Sequence, residues 1–457
     1  MVKVKIAVIG AGSIAWSATL IRDLCLTKSL WGSTIVLMDI NKERLDLIYT
    51  FAKRYSSEVK ADLNFEKTMD RREAIKEADF VINTAMAGGH QYYEKMRAIS
   101  EKYGYYRGIN SVEWNMVSDY HTIWGYYQFK LMMDIARDIE ELSPDAWLLL
   151  LANPVFEGTT LISRETKVKV IGLCHGHLGY IEISKVLGLD LEHVEAEAIG
   201  FNHVIWMTKF KYKGEDAYPL LDEWIDKKAE EYWRVWYQKQ TNPFDIQMSP
   251  AAIDMYKRYG LFPVGDTVRG GTWKYHWNLE IKKKWFGPTG GPDSEIGWRL
   301  YLEGHEKRIN AIAKAIQDQT VPLTKLFPPR RSHESVVPIM DSIANDRKGV
   351  YQVNILNKGV ISGIPDNVAV EVPAEVDSKG VHRIPVEGLP KRIMKYVIYP
   401  RMLRMEWALE AFLEGGRDLL FDWLIVDPRT KSSEQVEKTI DAILSLPGNE
   451  EMARHFK

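Results

Sequence analysis

The sequence predicts an α/β protein: a doubly wound parallel sheet followed by a mixed α+β, helix-rich second domain. Three observations carry that reading. The chain opens with a short apolar strand that runs straight into a glycine turn and a helical pattern. Strand-like and helical patterns then alternate through the first half, as βαβ units do. From about residue 205 the rhythm stops, and tryptophan-rich helical segments take over. A chain of 457 residues is long enough for two cores, and the boundary is placed between domains 1–195 and 196–457.

Composition narrows the classes. Hydrophobic content of 46% and charged content of 27% are ordinary globular values, which excludes disordered and fibrous chains. A formal net charge of −2 gives no electrostatic case for nucleic acid or an anionic membrane surface. No apolar run is long enough to span a bilayer. Two cysteines, Cys25 and Cys174, cannot build a disulfide framework, so a reduced, cytoplasmic setting is expected. The first residues run directly into a strand and show no secretory signal pattern. Fifteen Trp beside 22 Tyr suit carbohydrate stacking, a large core or an interface.

In the first half, Ile6-Ala7-Val8-Ile9 reads as a strand, Gly10-Ala11-Gly12-Ser13 as a turn, and Ile14 to Leu26 as a helix. A dinucleotide needs that order. One glycine makes the turn, the next lets backbone N–H groups approach the pyrophosphate, and the helix N-terminus at Ser13 and Ile14 holds the anion. The third glycine of the fingerprint is replaced by Ala15. A second strand, Thr34 to Met38, ends at Asp39, where a carboxylate would bind the adenosine ribose of NAD; otherwise Asp39 caps the helix that follows. The expected half is thus Rossmann-like. It continues with helices over 42–60 and 71–77, a strand near Phe65, and strands closing at Asn83 and before Asn153-Pro154. A tyrosine-rich loop is expected over 92–114 and a long helix over 118–142, with Asp119 in its first turn.

The next apolar strand, Val168 to Leu173, delivers Cys174-His175-Gly176-His177. Ligands of parallel sheets lie beyond the carboxyl ends of the strands, so Asn83, Asn153 and Cys174 are expected to converge. Another strand, Ala196 to Gly200, ends in Phe201-Asn202-His203. One Cys and one His, with open positions for substrate oxygens, suit Mn²⁺, Fe²⁺, Co²⁺ or Ni²⁺. Packing is the commoner fate of a cysteine at a strand end.

The second half is expected to hold a helix over 221–239 and a solvated loop at Gly260 to Arg269 containing Asp266. Lys282-Lys283-Lys284 reads as a solvated face, and Gly287 to Pro292 as a flexible loop or lid. Strands at 350–356 and 367–372 are expected to close the second domain.

These motifs together resemble glycoside hydrolase family 4, the NAD- and metal-dependent glycosidases, over essentially the whole chain. The resemblance rests on Ile9-Gly10-Ala11-Gly12-Ser13, Asp23-Leu24, Asn153-Pro154, Cys174-His175, Gly200-Phe201-Asn202-His203 and Gly265-Asp266-Thr267-Val268-Arg269. This family stands outside the two-carboxylate rule of glycosidases. Cys-His-Gly resembles the α-glucuronidase branch, whereas α-glucosidases and α-galactosidases tend to carry Cys-His-Glu and Cys-His-Ser.

The resemblance implies NAD-mediated oxidation at sugar C3, deprotonation at C2, elimination of the leaving group, water addition and re-reduction. By resemblance, Asp266 is the base, and Cys174 and His203 hold the metal, expected to be Mn²⁺. Asp119 or His175 would be the acid, Asn153 and Asn202 would hold sugar hydroxyls, and Arg269 would clamp a uronate carboxylate, a role Arg299 or Arg330 could equally fill. Gly10, Gly12, Ser13, Ile14, Asp39 and Asn83 are assigned to NAD. The expected partners are a small sugar or oligosaccharide and further copies of the chain, as a homodimer or homotetramer. Two other classes compete: a malate/lactate-type 2-hydroxy-acid dehydrogenase, which would produce net NADH, and a non-catalytic NAD-binding sensor.

Overall fold

The computed structural model describes residues 2–108, 125–270 and 273–457. Its strands, in chain order, are β1 (Lys5–Ile9), β2 (Thr34–Met38), β3 (Asn64–Thr68), β4 (Phe80–Asn83), β5 (Trp147–Leu150) and β6 (Lys169–Gly172). They continue with β7 (Val194–Phe201), β8 (Val204–Tyr212), β9 (Glu215–Asp216), β10 (Phe262–Val264), β11 (Gly349–Leu356), β12 (Ala369–Asp377) and β13 (Gly380–Arg383). The chain gathers into two compact units. One comprises Met1–Met86, Leu131–His175 and Glu303–Val386, the other Ala87–Lys130, Gly176–Leu302 and Glu387–Lys457. Each unit is assembled from three separate stretches of the chain.

In the first unit the parallel strands follow the order β6-β5-β4-β1-β2-β3. The order reverses between β1 and β4, which creates the crevice where such sheets bind ligands. Val8, Val81, Leu148 and Ile171 are fully buried, and each such side chain contributes about 1.5–3 kcal/mol through lost apolar surface. The helix Ile14–Cys25 lays Ile14, Ala18, Ile21 and Cys25 inward, the 3.6-residue stripe read from the sequence. β11 then pairs antiparallel with β6 through Asn354 and Gly172, and β12 pairs antiparallel with β11. The late strands thus extend the first sheet, where a separate sheet in the second domain was expected.

In the second unit, β7 and β8 form a hairpin, and β10 pairs antiparallel with β8. Several expectations change here. Much of the tyrosine-rich loop is the helix Gly89–Lys102, which buries Tyr93, Met96 and Ser100 on one face. The segment 221–239 is two helices, Tyr218–Lys227 and Ala229–Lys239, broken at Lys228 with φ −129°. The long helix is described from Tyr126 to Leu142.

Candidate active site

In the first unit, candidate residues sit at the carboxyl edge of adjacent parallel strands. Gly10 leaves β1 at φ +87°, a left-handed conformation that suits glycine. A Cβ there would stand 2.7 Å from the Ala85 nitrogen. Gly12 donates its N–H to Asp39 Oδ2 at 2.7 Å, and a Cβ on Gly12 would lie 2.6 Å from that oxygen. The carboxylate at the end of β2 is therefore seated against the second glycine of the turn. Asp39 Oδ1 also accepts from the Asn41 N–H, and Asn41 itself caps the helix Lys42–Glu58 through Arg44. The capping role expected as the alternative for Asp39 thus falls to Asn41. Ser13 opens the helix Ile14–Cys25 without a side-chain cap, so the helix start keeps backbone N–H groups for an anion.

Asn83 ends β4 and is fully buried; its Oδ1 accepts from the Ala85 N–H. Its Nδ2, like Asn153 Oδ1 beyond β5, is buried with no hydrogen-bond partner among the described residues. A buried amide atom without a partner costs about 1–3 kcal/mol, a cost that a polar ligand at this edge would remove. Cys174 follows β6 by two residues and is half-buried. His175 is 72% exposed, with Nδ1 3.4 Å from Glu334 Oε1.

The second unit builds a charged cluster on the β7–β8 hairpin. Asn202 and His203 form its two-residue turn, and both are buried. His203 adopts φ +63°, a costly conformation for a residue with a Cβ and one that proteins keep chiefly where the side chain must be aimed. Because β10 pairs with β8, Val264 faces Ile205 and the turn Gly265–Arg269 arrives beside the histidine. His203 Nε2 lies 3.4 Å from Asp266 Oδ2. Asp266 Oδ1 accepts from Arg269 Nη1 at 2.6 Å. Arg269 donates Nε and Nη2 to the two oxygens of Asp293 at 3.0 and 2.9 Å. Two carboxylates beside the guanidinium hold its proton well above the ordinary arginine range, despite burial.

Comparisons with known proteins decide what this arrangement belongs to. The model "Family 4 glycosyl hydrolase" matches residues 5–189, and "Family 4 glycosyl hydrolase C-terminal domain" matches 198–430. The chain belongs to family 4 of the glycosyl hydrolases. It is 25% identical to an α-galactosidase of Bacillus subtilis, covering 95% of each chain. It is likewise 25% identical to an α-galacturonidase of Lachnoclostridium phytofermentans, covering 96% of this chain and 95% of the relative. A solved 6-phospho-α-glucosidase from gut microorganisms, in complex with NAD and Mn²⁺, shares the fold with a TM-score of 0.75 at 20% identity over the whole of both chains.

In this family 4 glycosyl hydrolase, the sequence-assigned residues fall into two groups. Gly10, Gly12, Ser13, Ile14, Asp39, Asn83, Asn153, Cys174 and His175 lie in the first unit; Asn202, His203, Asp266 and Arg269 lie in the second. Asp119 lies outside the described residues. The expected role of Arg269 as a clamp for a substrate carboxylate does not fit: its side chain is 3% exposed, and both edges of its fork are filled by Asp293 and Asp266. The expected solvated loop at 260–269 is instead a strand and a 3₁₀ turn with Thr267, Val268 and Arg269 buried.

Sequence reasoning missed Asp293, Lys282 and His276. The run Gly287 to Pro292 reads as flexible because it is rich in glycine and proline, yet Thr289, Asp293 and Ser294 are buried. Lys282 looks like part of a solvated triplet, yet it is fully buried. One signal was available: Lys282 sits three residues after Leu279 and four before Phe286, on the apolar stripe of its helix.

Proposed function

We propose that this enzyme hydrolyses α-glycosides, with α-glucuronides preferred, using NAD and a divalent metal, manganese first. The observation that carries the reading is Asp266: one oxygen is tied to Arg269, and the other points to His203. That is a carboxylate fixed as an acceptor beside the histidine that this reading assigns to the metal.

The residues fit both groups. Gly10, Gly12 and the start of the helix at Ser13 and Ile14 would cradle the NAD pyrophosphate, and Asp39 would meet the ribose. Asn83 would donate its unpaired amide at the nicotinamide end. Cys174 and His203 would hold the metal, with substrate oxygens completing the shell. When bound, the nicotinamide supplies reversible oxidation of a sugar carbinol, and the metal supplies positive charge beside the adjoining oxygens.

The chain's own residues do the rest. Asp266 Oδ2 takes the proton from C2, and Arg269 keeps that oxygen aimed. Asn153 and Asn202 hold hydroxyls on the ring. His175, oriented by Glu334, hands a proton to the leaving oxygen at C1; Asp119 is the other residue assigned to that step. With Arg269 committed, a uronate carboxylate falls to Arg299 or Arg330, both exposed. Cys174-His175-Gly176 supports the uronide preference, and α-galacturonidases among the relatives support a uronate class. A thiol ligand at Cys174 requires reducing surroundings, which supports a cytoplasmic location.

The test is a panel of p-nitrophenyl α-D-glucuronide, α-D-galacturonide, α-D-glucoside and α-D-galactoside, each with NAD⁺, Mn²⁺ and dithiothreitol. Cleavage is expected fastest with the glucuronide, without net NADH. Cys174→Ala should lose metal-dependent turnover and keep NAD binding. Preferred cleavage of a neutral glycoside would overturn the uronide reading, net NADH production would overturn the glycosidase cycle, and an undiminished Cys174→Ala would remove the metal assignment.

A further inference from the structure

Behind Asp266 lies a set of charged side chains of which the proposed reaction uses only Arg269. Arg269 and Asp293 are each 3% exposed, His276 is 1% exposed, and Lys282 is fully buried. Asp293 meets Arg269 side-on with both oxygens, and its backbone carbonyl accepts from Arg107 Nε at 3.1 Å. Lys282 Nζ lies 3.0 Å from His276 Nδ1, and His276 Nε2 lies 3.3 Å from the Gly270 carbonyl. Lys282 can only donate, so Nδ1 accepts and the ring proton resides on Nε2, directed at Gly270. The residue after Arg269 is thereby anchored.

The turn is fixed at its other points too. Gly265 N–H donates to Gln247 Oε1 at 2.7 Å, and Thr267 Oγ1 accepts from the Ile205 N–H at 2.7 Å. Those contacts fix the backbone of the turn, and Arg269 Nη1 holds the Asp266 side chain through Oδ1. Asp293 in turn fixes the fork: a planar guanidinium held along one edge by a carboxylate presents its remaining nitrogen in one direction. Buried Asp293 interacts with two buried cations, Arg269 and Lys282, and Arg269 also holds the part-exposed Asp266. Removing one member leaves a buried charge without its counterpart.

We propose that Asp293 is the positioning residue for Asp266, acting through Arg269, while the Lys282–His276 pair anchors the same turn at Gly270. The proposal rests on Asp266 as the C2 base, and its test separates the two ideas. Four single variants, Asp293→Asn, Asp293→Glu, Arg269→Lys and Asp266→Asn, and the double variant Asp293→Asn with Arg269→Lys are compared on the p-nitrophenyl α-glycoside that the panel selects. Asp293→Asn keeps the shape but loses the two-oxygen grip, and Arg269→Lys keeps the charge but cannot bridge two carboxylates.

Both should lower kcat by about 10- to 100-fold, the scale of a misplaced catalytic group, with KM and NAD binding within about threefold. Asp293→Glu, which keeps both oxygens on a longer stem, should recover part of the loss. Combining Asp293→Asn with Arg269→Lys should cost little more than Arg269→Lys alone. A role in packing alone would reverse the order, because glutamate disturbs a filled site more than the isosteric asparagine. Wild-type kcat in Asp293→Asn, or a larger loss in Asp293→Glu than in Asp293→Asn, overturns the positioning role. If Asp293→Asn does not fold, Arg269→Lys decides: an unchanged kcat in that variant overturns the proposal, and the kcat-only loss supports it. Full activity and full solvent-deuterium incorporation at C2 in Asp266→Asn would instead overturn the base assignment.

Discussion

Lys282 shows what burial does to one charged group. Loss of water lowers its pKa from 10.5 to about 8, and the nearby Asp293 offsets only part of that effect. His276 is driven well below its ordinary value by the same burial and by Lys282, so it stays neutral and able to accept. The sign of the pH dependence follows. Below pH 8 both folded and unfolded chains carry the lysine proton, and the full cost of burying the ammonium is present. Between about pH 8 and 10.5 the unfolded chain binds the extra proton, so this group's contribution to stability rises with pH. Thermal melts should therefore show the wild type gaining on Lys282→Met across that window, by on the order of 2–3 kcal/mol. Parallel curves at pH 7 and 10 would show that the lysine does not titrate there. Cys25 is the contrasting case: burial pushes its thiol up to about 12, which leaves it inert, whereas Cys174 is half-buried at a strand end.

At the scale of elements, two turns decide where the chemistry sits. The hairpin β7–β8 aims His203 through a left-handed residue, and β10 brings Asp266 alongside by pairing with β8. The second turn depends on a close approach. Gly265 has φ +59°, and a Cβ on it would stand 2.6 Å from the Gly176 Cα and closer still to the Gly176 carbonyl oxygen. Gly176 is the third residue of Cys-His-Gly, so the position that resembles a specificity marker also has a packing reason to be small. Replacing Gly265 with Ala combines a forbidden contact with a left-handed φ, and should cost about 1–3 kcal/mol while displacing Asp266. The expected outcome is a Tm lowered by several degrees together with a kcat loss larger than the stability change explains. Wild-type kcat in a destabilised Gly265→Ala would show that the turn tolerates the shift.

On the whole molecule, the second unit exposes apolar side chains at Tyr396, Leu403, Leu413 and Val426, on or just after its late helices. The expected homodimer or homotetramer would place some of these side chains at a subunit contact, and light scattering is expected to give two or four chains of 52.7 kDa. Tyr396→Asp combined with Leu403→Asp should shift that mass toward the monomer, and a wild-type monomer would overturn the expectation.

What was legible in the sequence followed from local rules. Continuous apolar runs and a 3.6-residue apolar stripe located β1, β2, the helix Ile14–Cys25 and the strand ends near Asn83 and Cys174, because each of those features is fixed by neighbours along the chain. The order of β11 and β12 against β6, and the withdrawal of Lys282 and Asp293 from solvent, were not legible. Strand partners are chosen by contacts far apart in sequence, and a lysine or a Gly-Pro loop is buried only when distant side chains supply the charges and hydrogen bonds that make burial tolerable. Asp266 itself was identified by motif; the partner that aims it lies 27 residues away, and only the folded chain brings the two carboxylates to one guanidinium.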